Sequence, residues 1–158
     1  NDSSTFNGTF PTSSVFSVGT HTGTNRSSGT YVAYCFTSIK GYSKIGSYTG
    51  NGSTDGPFVY TGFKPAWLMI KNVEQAGGQW FIHDNKRETF NPSNSSLFAE
   101  SSQAETANNS ALDIDFLSNG WKKRNTGSGA NNDGIKYIYM AFAEHPFVSS
   151  KGVPTTAR

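Results

Sequence analysis

Two carboxylates, Asp113 and Asp115, stand two residues apart in the run ALDIDFL, so any strand carrying them projects both from one face. Such a pair can share a calcium ion or flank a sugar ring. Calcium takes roughly six to eight oxygens from one or more loops, and no Asp-rich EF-hand-like run is present. A glycosidase needs its carboxyls roughly 5–10 Å apart on facing elements, which one strand cannot certify. An ordinary exposed strand face outweighs both readings. Asp113 and Asp115 are kept as candidate calcium ligands, with no other cofactor expected. His83-Asp84 invites a general-base reading with a loop serine as nucleophile. Neighbours along a strand point to opposite faces, however, and there is no G-x-S-x-G elbow. His21 and His145 lack the partner spacing that zinc requires. Two aromatics are placed to stack on a sugar: Trp121, just after Asn119-Gly120, and Tyr48, just before Gly50-Asn51-Gly52. Trp67 and Trp80 sit in the most apolar runs and are expected in the core.

The composition narrows the class. The 158 residues fit one ordinary domain, or one domain and part of another. Only 34% are hydrophobic while 14% are aromatic, and small polar residues make up the difference. That balance suits short strands joined by elaborate turns and excludes wholesale disorder. A net charge of +2 is too small to argue for nucleic acid. The one basic run, Lys122-Lys123-Arg124, reads as a solvated strand end. Cys35 is the single cysteine, which excludes an intrachain disulfide, and its setting in YVAYCF predicts a small buried hydrophobe. No apolar run approaches the ~20 residues of a membrane span, so no membrane insertion is expected. N-x-S/T sequons at Asn7, Asn25, Asn51, Asn94 and Asn108 read as loop markers in a chain this rich in Asn, Ser and Thr. The start, NDSST, lacks an initiator Met and reads as a processed or trimmed chain.

The elements that must hold these residues are strands. Period-two patterning predicts them at Val15–Val18, Tyr31–Ser38, Tyr42–Thr49, Pro57–Tyr60, Ala66–Asn72, Gln79–Asp84, Ala111–Leu117, Trp121–Arg124 and Tyr137–Ala143. Tyr31–Ser38 is apolar on both faces and is expected to be central and covered on both sides. Residues 85–110 are irregular, with at most one helical turn, and form a candidate functional loop or covering arm. Together these predict an all-β antiparallel β-sandwich with little or no helix.

Trp121–Phe142 has an approximate copy at Phe16–Phe36, in which YVAYCF answers YIYMAF and Tyr31 answers Tyr137 at a spacing of 137 − 31 = 106. The Gly/Asn-rich connection in each copy, Gly127–Gly134 in the second, is expected to be an exposed variable loop.

The Tyr31–Phe36 strand, the Gly41-Tyr42-Ser43-Lys44-Ile45-Gly46 start and the Gly50-Asn51-Gly52 turn resemble a repeat family of bacteriophage structural proteins. Gly62-Phe63-Lys64-Pro65, Lys71 and the Tyr137–Glu144 ending belong to the same pattern. The family is similar to sequences of marine and cyanobacterial phages described as tail fibre. The resemblance implies a lectin-like or jelly-roll-like sandwich on the virion surface, and it brings no catalytic motif. It implies that residues 1–38 hold an N-terminal arm and the last strands of a preceding repeat, that 39–148 form one complete repeat, and that 149–158 are an extended tail. It further implies a non-enzymatic, tail-fibre-like module acting in assembly and host-surface recognition. The expected partners are other virion proteins, copies of itself (a trimer, for instance) and a host-surface glycan. A capsid decoration or head-fibre protein is the alternative, as is a carbohydrate-binding or depolymerising domain.

Overall fold

A computed structural model describes residues 3–127 and 130–146. The expected tail 149–158 lies outside the described residues, as do Ser128 and Gly129. The chain is all-β, with eight strands among the described residues: β1 (Ser43–Thr49), β2 (Phe58–Tyr60), β3 (Pro65–Asn72), β4 (Trp80–Asp84), β5 (Leu97–Phe98), β6 (Ile114–Leu117), β7 (Gly120–Lys123) and β8 (Lys136–Ala143). Two one-turn helices, α1 (Ser3–Phe6) and α2 (Thr22–Asn25), and a 3-10 turn at Ser110–Leu112 complete them. The chain divides into two units, Asn1–Cys35 and Phe36–Arg158.

The second unit holds every strand. A five-stranded sheet in the order β1-β8-β3-β4-β5 faces a three-stranded sheet in the order β2-β7-β6, and every pairing is antiparallel. Alternation along each strand delivers the inner face. Leu68 and Ile70 of β3, Phe81 of β4, and Tyr137, Tyr139 and Ala141 of β8 meet Val59 of β2, Ile114 and Phe116 of β6, and Trp121 of β7. Trp121 joins the sheets: its ring stands edge-on to Tyr48 of β1 at 4.9 Å and to Tyr139 at 5.6 Å. Tyr48 in turn stacks on Tyr137 at 5.1 Å. The Asn119-Gly120 hairpin that brings Trp121 inward depends on the missing side chain, because a Cβ on Gly120 would lie 2.2 Å from the Val59 carbonyl oxygen.

The expected strands from Tyr42 to Asp84 and from Ala111 to Ala143 are present with small shifts of their ends. Ala111 and Leu112 belong to the 3-10 turn rather than to β6. Three expectations are corrected. Val15–Val18 and Tyr31–Ser38 form no strand, and Tyr31, Val32, Tyr34 and Phe36 are exposed instead of covered on both sides. Their apolar alternation is real, but no neighbouring strand among the described residues pairs with it. Cys35 is accordingly exposed rather than buried. Trp67 and Trp80 lie half-buried on the outer face of the larger sheet. There Trp67 packs against Phe142 at 5.6 Å, and the Lys71 ammonium sits 5.7 Å from the Trp80 ring.

The two irregular segments are tied down. In 85–110, Ser93 bridges to Ile114, Leu97 pairs with Ile82, and Ser93, Ser95 and Ser96 are buried. Glu88 organises that turn by accepting from the amides of Asn94 and Ser95 and from the Ser95 hydroxyl. Burial opposes ionisation of Glu88, but these bonds outweigh it and hold its pKa below the ordinary value. Within Gly127–Gly134, Ala130 and Asn131 are buried, which corrects the expectation of a freely exposed loop. The Asn131 amide donates to the carbonyls of Ser53 at 2.9 Å and Asn125 at 2.6 Å and to Asn51 Oδ1 at 3.2 Å, while its own Oδ1 accepts from the Asn51 amide at 3.0 Å. One buried side chain therefore fastens the β1–β2 turn to the β7–β8 connection.

Two substitutions test this arrangement by equilibrium denaturation. Trp121→Ala removes the ring shared by both sheets and is expected to destabilise the chain by about 3–5 kcal/mol. Asn131→Ala removes the partner of four hydrogen-bonding groups, of which the Asn125 carbonyl is buried, and is expected to cost about 1–3 kcal/mol. A loss under about 1 kcal/mol in either variant contradicts the packing described.

Candidate functional site

Along β6 and β7 the period of two that fills the core also sets the chemistry outside it. Ile114 and Phe116 point in, so Asp113 and Asp115 share the outward face, as their spacing predicts. Across the hairpin Asp115 is in register with Lys122. The two aspartates line an open groove of about 650 Å³ together with Thr54, Asp55, Asn91, Pro92 and Arg124. The β1–β2 loop supplies Asp55, the β4–β5 segment supplies Asn91-Pro92, and the residue after β7 is Arg124.

Each wall of the groove is held in place. Asn91 pairs with the Phe116 backbone through both amide atoms, accepting from its N–H at 2.9 Å and donating to its carbonyl at 2.9 Å. The Asn91-Pro92 peptide is cis. Arg124 Nε lies 3.2 Å from Asp115 Oδ2, and Lys122 Nζ lies 2.5 Å from Asp55 Oδ1. The hydrogen bond from Lys122 and its positive charge hold the Asp55 carboxyl below its ordinary pKa. Asp113 behaves oppositely. Burial pushes its pKa up, Asp115 and Glu88 add to that, and Lys123 opposes it. Its Oδ1 is enclosed and accepts no hydrogen bond. Asp55 and Asp115 are thus paired with Lys122 and Arg124, and Asp113 keeps an enclosed oxygen without a hydrogen-bond partner.

Calcium at Asp113 and Asp115 finds no support in this geometry. Asp115 is engaged by a guanidinium, and no group of three or more His, Cys, Asp or Glu gathers as a metal site among the described residues. Trp121 and Tyr48, the residues expected to stack on a sugar, are 0% and 9% exposed and belong to the core. Their positions beside turns read as surface, yet the opposing sheet covers them. Tyr48 also donates its hydroxyl to the Ala130 carbonyl at 2.6 Å. Tyr60, one of several exposed rings, lines a second groove with Lys40 and Lys44. His83 and Asp84 do not pair: His83 is fully buried, while Asp84 accepts from the Lys86 and Arg87 amides and meets the Arg87 guanidinium.

Lys123 went unrecognised as an interior group. The basic run reads as solvated, but Lys123 follows Trp121 by two residues, and both point inward at 0% exposure. Its ammonium donates to the Leu112 carbonyl at 3.2 Å. Burial lowers its pKa from 10.5 to about 7, against the attraction of Asp113. Burial, with Lys123 nearby, lowers that of His83 from 6.5 to about 3, so the imidazole is neutral near pH 7.

Fold and groove together define an all-β sandwich module with an open, charge-paired polar face. The chain belongs to the family described as a domain of unknown function, DUF7483, whose model matches residues 1–146 and so takes in residues of both units. No curated protein and no solved structure matches the chain.

Because folding lowers the Lys123 pKa, the folded state binds fewer protons than the unfolded state between about pH 7 and pH 10.5. Stability is therefore expected to rise with pH above 7, by up to about 1.4 kcal/mol per unit. Burial raises the pKa values of Tyr48, Tyr137 and Tyr139, which reverses the trend only above the ordinary tyrosine value of 10.0. Denaturation midpoints between about pH 7 and pH 9 should climb in the native chain and stay flat in Lys123→Met, which should also be the more stable of the two at pH 7. A flat profile in the native chain, or a slope kept by the variant, contradicts the assignment.

Proposed function

We propose that the protein is a non-enzymatic structural module of a bacteriophage virion. It is a tail-fibre-like protein of the particle surface, engaged in assembly with copies of itself and other virion proteins and in host-surface recognition. The resemblance carried by Tyr31–Phe36, Gly41–Gly46, Gly50-Asn51-Gly52 and Tyr137–Glu144 supports the virion setting. The observation that carries the recognition step is the groove around Asp113. Its carboxylates, guanidinium and amide are the donors and acceptors that a polyhydroxyl chain needs, displayed in an open groove between the β6–β7 hairpin and two connecting segments. Bacterial surface glycan is the ligand class that fits. The non-enzymatic reading draws on the same contacts: Lys122 and Arg124 occupy Asp55 and Asp115, so the groove holds no free carboxylate partner for Asp113 to form an acid–base pair. No helix among the described residues is long and apolar enough to cross a membrane.

Labelled protein is expected to bind envelope polysaccharide from the host. Arg124→Ala should weaken binding about tenfold or more, equivalent to about 1.4 kcal/mol, with the thermal midpoint nearly unchanged. Asp113→Asn should weaken it similarly while also lowering the midpoint, because Lys123 loses the field of Asp113. Antibody against the chain should mark the tails of intact particles at few copies. Hundreds of copies around capsomers would turn the assignment to head decoration. Release of shortened oligosaccharides would turn it to a depolymerase, and absence from particles would end the virion reading.

A further inference from the structure

Lys44 occupies a row of side chains where a lysine is costly. Along β1, Lys44, Gly46 and Tyr48 share the face turned toward the smaller sheet. Tyr48 is core, Gly46 lies opposite Tyr139, and Lys44 lies opposite the buried Ala141. The lysine is therefore half-buried at the open end of the sandwich instead of extended from its outer face. Lys123, also inward, has the Leu112 carbonyl and the charge of Asp113. Among the described residues the Lys44 ammonium has no ion pair and no hydrogen bond, and neither has that of Lys40.

Both lysines line an open groove of about 460 Å³ between β1 and β2, each the edge strand of its sheet. One wall is the turn that leads into β1, and the other is Tyr60 with the turn Thr61-Gly62. Each wall is fixed by its own bonds. The Tyr42 and Ser43 amides both donate to the Ile39 carbonyl at 2.9 Å, and the Ser43 hydroxyl donates to the Thr37 carbonyl at 2.8 Å. Across the groove the Thr61 and Gly62 amides donate to the Asn119 carbonyl at 3.0 and 3.2 Å. Gly62 takes a positive φ of 82°, and Tyr60 leans over it: a Cβ there would lie 3.6 Å from the tyrosine hydroxyl oxygen. The ring remains 64% exposed. Among the described residues no carboxylate lines this groove, whereas Asp55, Asp113 and Asp115 line the other.

Two ammoniums without anions, beside an open phenol ring on preformed walls, suit a ligand that combines a negative charge with an apolar ring face. We propose that this groove binds a carboxylated sugar unit of an acidic polysaccharide, its pyranose face on Tyr60 and its carboxylate on Lys40 and Lys44. An aromatic ring offers apolar contact area without requiring a fixed pattern of hydroxyls. Lysine is a point charge on a flexible stem, so it takes a carboxylate without the planar geometry that arginine imposes, and the hydrogen bonds formed are charge-assisted. Walls already in place spare the ligand the cost of ordering them. The groove shares no residue with the one around Asp113, and the inference does not require the protein to belong to a virion.

The chain is titrated by calorimetry with oligosaccharides of galacturonate, glucuronate and sialate, with the methyl ester of each, and with inorganic polyphosphate. At least one acidic oligosaccharide should bind and shift the amide resonances of Gly41, Lys44 and Gly62. Esterification, which removes the charge and keeps the ring, should weaken binding at least about tenfold, and polyphosphate, which has charge and no ring, should bind more weakly than the sugar. Lys44→Gln and Tyr60→Ala should each cost about tenfold in affinity with the thermal midpoint nearly unchanged. Lys86→Gln, at an exposed lysine outside the groove, and Arg124→Ala should have no effect. Arg124→Ala also separates the two glycan readings, because it weakens only binding in the Asp113 groove. Failure of all three acidic oligosaccharides to bind overturns the proposal, as does an ester or polyphosphate that binds as tightly. Unchanged affinity in Lys44→Gln or Tyr60→Ala overturns it too, and a loss in Arg124→Ala would move the ligand to the other groove.

Discussion

The sandwich depends on one indole. Trp121 belongs to the smaller sheet, yet its ring contacts, Tyr48 and Tyr139, come from two neighbouring strands of the larger one. Edge-on aromatic pairs contribute roughly 0.5–1.5 kcal/mol each beyond the area they bury, and here they share a ring. Room for this cluster comes from glycine. Gly46, opposite Tyr139 in the β1–β8 register, leaves space where a Cβ would lie 2.9 Å from the Tyr139 hydroxyl. Few aliphatics are needed when four large rings close the space between two sheets. A chain with 34% hydrophobic residues can therefore still bury a core.

The same cluster constrains the polar interior. Once Trp121 faces inward, strand geometry sends Lys123 inward with it, against the cost of burying an ammonium. The structure meets part of that cost with the Leu112 carbonyl and with the field of Asp113. His83, buried nearby, stays neutral because burial disfavours its charged form and the Lys123 charge adds to that. Interior and groove are linked through this pair of residues: the ammonium lies on the buried side of Asp113, and the groove lies on the other.

Much of this architecture was legible in sequence, and the exceptions have physical causes. Alternation identified β3 and β8 because each holds eight residues with a consistent inner face, Leu68 and Ile70 in one and Tyr137, Tyr139 and Ala141 in the other. Asn119-Gly120 announced the hairpin. β5 left no such signal: two residues carry no periodicity, and Leu97 and Phe98 become a strand only because Ile82 and Phe81 lie beside them. Trp121 and Tyr48 misled because closeness to a turn says nothing about what the opposite sheet covers. Lys123 was readable in principle, since it keeps phase with Trp121, but a run of three basic residues looks like a solvated end. Asp113 and Asp115 were found from their spacing. Arg124 joins them across the β6–β7 hairpin, and Asp55 and Asn91 only through folding of segments tens of residues apart.

YVAYCF and YIYMAF, nearly interchangeable as patterns, end in opposite states, one open and one paired on both edges within a sheet. Local sequence specifies which residues alternate; it cannot supply the neighbours that make alternation useful, because strand pairing is non-local. The charged run in β7 follows the same logic at a smaller scale. Lys122, Lys123 and Arg124 are chemically alike, but the strand period divides them among Asp55, the core and Asp115. A shift of one residue in that register would send Lys122 into the core and turn Trp121 and Lys123 out over the groove. The hairpin's share of the groove's charge pattern is therefore set by the contacts that place Trp121, while Asp55 and Asn91 are brought to it by the connecting segments.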